Sequence, residues 1–213
     1  MILMRHCKRL LKREYLFFLK LREQFLQRDI PYSAISQAFQ ILIRQLLGEP
    51  ENILQAWKEK ILEALGKNSQ IIIDVIPEVE KIIGKQQPVE LLGGSESQNR
   101  FHLFFKRFVN VFSQKENPLV IFIDDLQWAD LPSLNLIEQL ISDSDIKYFL
   151  IIGAYRDNEV SSIHPLMNTL ENGWSIRKKN DKYVFRKKHD RHTEIYSDEY
   201  LVNFLKLNMG NTI

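Results

Sequence analysis

Apolar positions in the first part of the chain recur mainly at helical spacing. A short apolar run at residues 15–19 predicts a strand, with part of a basic amphipathic helix as the alternative. Residues 33–47 then carry apolar side chains every three or four positions, so they predict a helix with Ser33 as its N-cap. Gly48 and Pro50 end that helix, because both residues are unfavourable inside helices.

Further helical segments precede the centre of the sequence. Residues 53–65 predict a second helix that ends at Gly66. Residues 70–76 form a short apolar stretch, which Pro77 separates from a helical turn that ends near Ile83.

A loop and a phenylalanine-rich helix occupy the middle of the chain. Residues 86–95 contain one proline and two glycines and predict the loop. Ser95 or Ser97 is the expected N-cap of the helix, which ends before Pro118. The apolar side of this helix consists of Phe101, Phe104, Phe105, Phe108, Val109 and Phe112.

Two runs of consecutive apolar residues, 119–123 and 147–152, predict strands that are buried on both faces. The helix between them begins with Asp130 as its N-cap and Pro132 in its first turn, where the missing N–H of proline is not needed. This alternation of helices and buried strands predicts an α/β fold with a parallel sheet and crossover helices.

The two ends of the chain differ in character from its middle. Residues 1–28 and 177–213 are basic, whereas the residues between them are acidic. After residue 172 the pattern predicts only a polar hairpin at residues 174–186 and a short helix at residues 200–207. We therefore expect the ends to follow a different design from the central segment.

Composition places the chain among soluble globular proteins. Its 213 residues include 45% apolar and 26% charged residues, which excludes a disordered or fibrous class. The single cysteine, Cys7, excludes a disulfide framework and gives no support to a zinc site, so we expect a reducing, cytoplasmic compartment. The apolar run near residues 16–19 is too short for a signal sequence or a membrane span.

The residues with the clearest chemistry follow the first buried strand. Asp124 and Asp125 stand at its carboxyl end, the edge where open α/β sheets bind ligands. Mg²⁺ takes oxygen ligands and keeps several waters, so one or two carboxylates suffice to hold it. Since neighbours in a strand point to opposite faces, one carboxylate would hold magnesium and the other would address an attacking water. The alternative is that the pair only ends the strand and opens a turn, with Trp128 packing beside it.

A longer set of sequence strings around this pair resembles the AAA-type ATPase module of bacterial multidomain sensor kinases. Those proteins join a serine/threonine kinase domain, this module, GAF-type sensors and a histidine kinase. The resemblance covers roughly residues 28–171. The matching strings, in order, are RDIPYSA at 28–34, IIDVIPE at 72–78, SESQNRF at 95–101, the segment 118–130, GAYRDNEV at 153–160 and HPL at 164–166.

The resemblance implies roles for three residues. Asp124 would be the Walker B carboxylate that holds magnesium, Asp125 would orient the attacking water, and Arg156 would contact the γ-phosphate. The implied cofactors are therefore ATP and Mg²⁺. A guanidinium suits this role because it stays charged and binds phosphate oxygens in pairs. From the residues alone, a salt bridge of Arg156 with Asp157 or Glu159 is an equal alternative.

The phosphate-binding loop of such ATPases is absent from the sequence. That loop needs the pattern G-x-x-x-x-G-K-[ST], because its backbone N–H groups surround the phosphates and its lysine reaches them. The Gly-Lys pairs at residues 66–67 and 84–85 lack the other positions and are better interpreted as helix C-caps. In the resembled module the loop lies upstream, so residues 1–28 are expected to be the basic, degraded edge of a longer ATPase.

We therefore expect an incomplete P-loop NTPase-like parallel sheet flanked by helices, with a helical insertion before the Walker B strand. Residues 29–172 would form a partial AAA-type ATPase domain, followed by a divergent basic tail at residues 173–213. The missing first strand would lie beside residues 147–152, and other domains or chains of a sensor kinase would supply it.

Three functions are open at this point. The first is a partial ATPase module of a signalling kinase that does not hydrolyse ATP alone. The second is a non-enzymatic interaction module, or gene remnant, that pairs with a partner. The third is binding to nucleic acid or a membrane surface through the basic runs at residues 177–179 and 186–188. Solvated tails are the better interpretation of those runs, because no aromatic platform or recognition helix accompanies them.

Overall fold

The strands and helices lie in the parts of the chain that the computed structural model describes. These are residues 17–22, 31–90, 92–143, 145–156, 159, 160, 166, 174–179, 182–187 and 193–196. For residues 17–22, 174–179, 182–187 and 193–196 only the backbone is described. It shows which strands pair in each sheet.

A parallel three-stranded sheet contains both buried strands predicted from the sequence. Its strands are β1 (Phe17–Arg22), β2 (Leu119–Asp124) and β3 (Phe149–Gly153), in the order β1-β2-β3. Phe17 lies opposite Leu119, and β3 also begins opposite that residue. Parallel strands need crossover connections, and the helices between them supply these. The predicted α/β fold with an incomplete P-loop-like parallel sheet is confirmed.

In the described part of the chain, five helices lie between β1 and β2, and one more lies between β2 and β3. They are α1 (Ser33–Leu46), α2 (Glu51–Leu65), α3 (Ser69–Val75), α4 (Glu80–Ile83), α5 (Gly94–Phe112) and α6 (Leu131–Ser142). The short turn Pro77–Val79 separates α3 from α4, as the proline predicts. The helical insertion before β2 therefore consists of α1 to α5.

Aromatic side chains join α1, α2 and α5 into one packed layer. Phe105, Phe108 and Phe112 are fully buried and repeat every three or four residues along one side of α5. The ring of Phe39, from α1, lies 5.3 Å from the rings of Phe105 and Phe108, measured between centroids. Trp57, from α2, stacks on Phe112 at 5.3 Å. Large apolar rings in contact dominate the energetics of such a core.

The strands differ in how well they are covered. Most of β2 is buried, whereas the first four residues of β3 are only half-buried. Within the described part of the chain, β3 pairs with β2 and with no other strand. One edge of β3 is thus open among these residues.

Two helices begin differently from the sequence predictions. Tyr32, with a left-handed φ of 64°, precedes the first turn of α1, and Ser33 is a buried residue inside the helix rather than its N-cap. The N-cap of α5 is Gly93, and neither Ser95 nor Ser97 takes that position. In both cases the serine offered a capping hydroxyl, but the turn before the helix placed another residue at its start.

A second sheet follows near the end of the chain. Its antiparallel strands are β4 (Trp174–Lys179), β5 (Lys182–Lys187) and β6 (Thr193–Tyr196), with β5 in the centre. The first two strands confirm the predicted hairpin, and β6 extends it. The helix predicted at residues 200–207 lies outside the described residues. No described helix combines the length and hydropathy that a bilayer crossing requires.

Candidate functional site

The two aspartates lie where β2 ends and the chain turns. Asp124 is the last residue of the strand, and Asp125 follows in the left-handed conformation, with φ 58° and ψ 39°. A single 3₁₀ turn, Leu126–Trp128, continues from it. Aspartate is one of the few residues besides glycine that enter this conformation readily. The expectation of opposite faces rested on strand geometry, which Asp125 does not have.

Asp125 is buried and paired with Arg156 from the end of β3. Its Oδ1 lies 3.2 Å from Nη2 of Arg156. Nη1 of Arg156 lies 2.7 Å from Oε1 of Glu159, and its guanidinium lies 5.3 Å from the ring centre of Trp128. The structure thus brings two predicted site residues together. It also contains the alternative salt bridge with Glu159, while Asp157 lies outside the described residues.

Gln127 links the members of this group and was not predicted from the sequence. It is 3% exposed. Its Nε2 donates to Oδ1 of Asp125 at 3.3 Å and to Oε2 of Glu159 at 3.1 Å. Its Oε1 accepts the backbone N–H of Arg156 at 3.3 Å. We call Asp125, Gln127, Arg156 and Glu159 the Asp125 cluster.

The charges of the Asp125 cluster affect each other's protonation. A hydrogen bond from Arg156 lowers the pKa of Glu159 below its ordinary value, and a hydrogen bond from Gln127 acts in the same direction. The hydrogen bond to Glu159 raises the pKa of Arg156, and the carboxylates of Asp125 and Asp124 add to that effect. Glu159 and Arg156 are therefore both charged at neutral pH.

Backbone hydrogen bonds tie the ends of β2 and β3 together. Leu126 N–H donates to the carbonyl of Ala154 at 2.9 Å, and Ala154 N–H donates to the carbonyl of Ile123 at 2.8 Å. A Cβ placed on Gly153 would lie 2.6 Å from Cδ2 of the buried Leu126. An alanine at this position would therefore force the side chain of Leu126 to shift, and the two hydrogen bonds hold the halves of the Asp125 cluster together.

Asp130 closes the same turn and begins α6. Its Oδ1 accepts the backbone N–H of Ser133 at 2.8 Å, and its Oδ2 accepts the hydroxyl of that serine at 2.6 Å. The backbone N–H of Tyr32 lies 3.4 Å from Oδ1. The predicted N-cap is confirmed, and it also connects the start of α1 to the start of α6.

A second polar group, at the contact between α1 and α5, was not predicted from the sequence. The hydroxyl of Tyr32 lies 3.1 Å from Nε2 of His102, and the ring of Tyr32 lies 4.4 Å from that of Phe101. Burial lowers the pKa of His102, with Gln139 opposing this shift and Lys106 adding to it. Burial also raises the pKa of Tyr32. Both shifts favour the neutral forms, which suits a structural contact.

Asp124 fits the role of a single magnesium ligand. It is half-buried at the strand end, and its Oδ1 lies 3.2 Å from the backbone N of Asp125. Among the described residues, no group of three or more His, Cys, Asp or Glu side chains converges to hold a metal by itself. This donor set suits a magnesium ion held by one carboxylate, with water and phosphate completing its shell.

The two Gly-Lys pairs do not fit the triphosphate of ATP, although Asp124 fits magnesium. Gly66, with φ 53°, and Gly84, with φ 77°, are the C-caps of α2 and α4, as predicted. Each Gly-Lys pair follows a helix, whereas a phosphate-binding loop follows a strand. Among the described residues, the carboxylates and the arginine at the sheet edge are therefore not accompanied by a backbone cradle at either Gly-Lys pair.

Comparison with known proteins supports the resemblance seen in the sequence. A hybrid signal transduction histidine kinase G from Dictyostelium discoideum is 43% identical over 114 residues, which are 54% of this chain and 3% of that relative. No solved structure matches. The family model described as "AAA ATPase domain" matches residues 2–152, a span that contains β1, β2 and nearly all of β3. Proteins of this family generally bind ATP with Mg²⁺. Since that match covers more than half of the sequence, the chain belongs to the AAA ATPase domain family.

Proposed function

We propose that this chain is a partial ATPase module of a multidomain signalling kinase. The observation that carries the proposal is the 3.2 Å contact between Asp125 and Arg156, directly beside Asp124 at the carboxyl edge of the parallel sheet. Carboxylates, magnesium and a charged arginine are the groups that phosphoryl-transfer sites place around the attacking water and the γ-phosphate.

The three residues take separate roles in this proposal. Asp124 is the Walker B carboxylate and gives magnesium one oxygen ligand. Asp125, which is buried and fixed by Gln127, orients the attacking water. Arg156 binds phosphate oxygens with a guanidinium that stays charged at any physiological pH.

The wider context belongs to the same proposal. The chain spans 3% of the length of the matched kinase, so the kinase activity in that relative's name is not transferred to it. We propose a cytoplasmic parent of the bacterial sensor-kinase type, although the matched relative comes from Dictyostelium discoideum. We propose three divisions of this chain: a basic N-terminal edge at residues 1–28, a partial ATPase domain at residues 29–172, and a basic tail at residues 173–213.

The chain alone is proposed not to hydrolyse ATP. Each charge-assisted contact to a phosphate contributes roughly 1.5–3 kcal/mol, and a phosphate-binding loop makes several of them. Since about 1.4 kcal/mol corresponds to tenfold in affinity, several missing contacts move a micromolar site beyond the millimolar range.

Phosphate release from ATP in the presence of magnesium tests this proposal. The purified chain should release phosphate no faster than its Asp125→Asn variant does. Asp74→Asn, which changes an exposed acid on α3, is the matched control. Turnover that Asp125→Asn abolishes and Asp74→Asn retains would show that the chain is an ATPase by itself.

The open edge of β3 favours a second function, a non-enzymatic interaction module. Unpaired N–H and C=O groups on a strand edge accept a strand from another chain or domain. The half-buried residues of β3 agree with this, because a strand covered on both sides is usually buried. The partner would be another domain or chain of the parent kinase.

Amide hydrogen exchange distinguishes this function from simple packing of β3. Amides of β3 that do not bond to β2 should exchange rapidly in the isolated chain and slowly in a longer segment of the parent protein. Amides of β2 should stay protected in both and serve as the internal control. Equal protection of β3 in the two samples would remove the basis for strand addition.

A further inference from the structure

Arg156 is engaged by carboxylates at the position where the proposed function requires it to meet phosphate. Its Nη2 faces Asp125 at 3.2 Å and its Nη1 faces Glu159 at 2.7 Å. Its plane also lies against Trp128, with 5.3 Å from the guanidinium carbon to the ring centre. Two carboxylates therefore compete with an approaching oxyanion for the guanidinium of Arg156, whose side chain is 47% exposed.

Gln127 gives this arrangement its shape. The amide group bridges two carboxylates through Nε2, at 3.3 Å from Asp125 and 3.1 Å from Glu159. Its oxygen accepts the backbone N–H of Arg156, so the same side chain fixes both the arginine's backbone and the two acids. A buried amide whose donor and acceptor groups are both used holds its neighbours in one geometry.

We propose that Gln127 and Glu159 are positioning residues that hold Arg156 on Asp125 and thereby weaken its binding of anions. This inference rests on the proposed function, because it takes Arg156 as the phosphate-binding group. A phosphate oxygen then competes with the carboxylate of Glu159 for Arg156, while Gln127 keeps Asp125 in place.

The two ion pairs of Arg156, with Asp125 and with Glu159, differ in how easily they dissociate. The side chain of Asp125 is 7% exposed, whereas that of Glu159 is 29% exposed and that of Arg156 is 47% exposed. Ion pairs that solvent reaches contribute little and exchange readily, whereas a buried carboxylate keeps its charged partner. The ion pair between Arg156 and Glu159 is therefore the one that dissociates more easily.

Fluorine NMR of the chain labelled with 5-fluorotryptophan tests the positioning role. The three tryptophans give three resonances, and Trp128→Phe identifies the one that lies against Arg156. Gln127→Leu should move the Trp128 resonance toward its position in Arg156→Gln. Glu159→Gln also removes a hydrogen bond between Glu159 and Trp128, so its effect on Arg156 is measured by the anion titration below. The resonance of Trp57, buried in the aromatic core, should stay in place.

The ion pair between Arg44 and Glu78 supplies the matched control. Its atoms lie 2.8 Å apart on other elements of the fold, so Glu78→Gln removes the same charge without touching the Asp125 cluster. A Trp128 resonance that Gln127→Leu leaves unchanged, while Arg156→Gln displaces it, would overturn the positioning role. Should Gln127→Leu also move Trp57, that variant has disturbed the core, and the anion titration of Glu159→Gln decides alone.

Titration with tripolyphosphate tests the competition for Arg156. Glu159→Gln removes the competing carboxylate, so the affinity for this anion should rise about two- to fivefold, and Arg156→Gln added to that variant should abolish the gain. Equal affinity in wild type and Glu159→Gln would show that the contact does not weaken anion binding. The proposed function fails separately, if the wild-type chain turns over ATP.

Discussion

At the end of β2, backbone conformation separates two aspartates with the same side-chain chemistry. Asp124 keeps the strand geometry, whereas Asp125 is left-handed, with φ 58°, and is 5% exposed. Burying a carboxylate is unfavourable unless an opposite charge is near, and Arg156 supplies that charge. An unusual backbone and a buried charge at one residue are features that concentrate at functional sites.

His102 should make the stability of the chain depend on pH. Burial lowers its pKa, so the folded chain takes up the proton at a lower pH than the unfolded chain does. At pH above about 6.5 the residue is neutral in both states and its full contribution is present. Below that value the unfolded state gains protons first, and the free energy of unfolding falls until the folded pKa is passed.

Urea unfolding at pH values from about 7 down to 5 measures this effect. The free energy of unfolding should decline less steeply in His102→Gln than in the wild type, since glutamine does not titrate there. Lys67→Gln changes an exposed side chain on another element and should decline as the wild type does. Equal slopes for wild type and His102→Gln would contradict the assignment.

The candidate site was only partly predictable from single residues. Asp124 and Asp125 were found because they follow a buried strand, and Arg156 because the sequence around it resembles a known module. Gln127 carries no such signal, since a glutamine in a turn is normally a surface residue. Its importance arises from burial and from the approach of Glu159, which depend on the ends of two strands meeting.

At the scale of elements, burial patterns were the more reliable signal, whereas end signals were correct for Asp130, Gly66 and Gly84 but not for three serines. Runs of apolar residues predicted β2 and β3, and a 3.6-residue repeat predicted α1, α2 and α5, because packing selects those side chains directly. The strand predicted at residues 15–19 lies two or three residues further along, at Phe17–Arg22. The caps at Ser33, Ser95 and Ser97 were wrong, because the preceding turn decides which residue starts a helix.

Phe108→Ala should strongly destabilise the helical layer. The ring is fully buried against Phe39 and Phe112, so its removal loses apolar burial and leaves a cavity. We expect a loss of about 3–5 kcal/mol in the free energy of unfolding, measured by urea denaturation. Leu103, in the same helix, is 49% exposed, so Leu103→Ala is the control. Its free energy of unfolding should fall by less than about 1 kcal/mol. Similar losses in the two variants would argue against this packing.

Gly153→Ala should destabilise the joint between β2 and β3. The new methyl group would meet Cδ2 of Leu126 at 2.6 Å, and that side chain has little room to move in the core. We expect a loss of about 1–3 kcal/mol in urea denaturation. Gly94→Ala is the control, since nothing lies within 4 Å of the added carbon there. A Gly153→Ala variant as stable as Gly94→Ala would show that the strand ends are not closely packed.

At the scale of the whole molecule, the described residues place a carboxylate–arginine pair at the carboxyl edge of a parallel sheet, and the sequence contains no G-x-x-x-x-G-K-[ST] pattern. The family match and the parallel order β1-β2-β3 agree with the fold expected from the sequence. The C-terminal sheet was half predicted, since the turn signal at residues 180–181 marks a hairpin but nothing marks the pairing of β6.

Equilibrium titration with a fluorescent ATP analogue and Mg²⁺ measures whether this chain holds a triphosphate. The proposed site has carboxylate and arginine groups, and the sequence lacks the phosphate-loop pattern, so we expect fluorescence anisotropy not to saturate at micromolar analogue concentrations. Asp124→Ala should behave as the wild type does. Saturable micromolar binding that Asp124→Ala abolishes would contradict the account, because these residues would then hold the triphosphate by themselves.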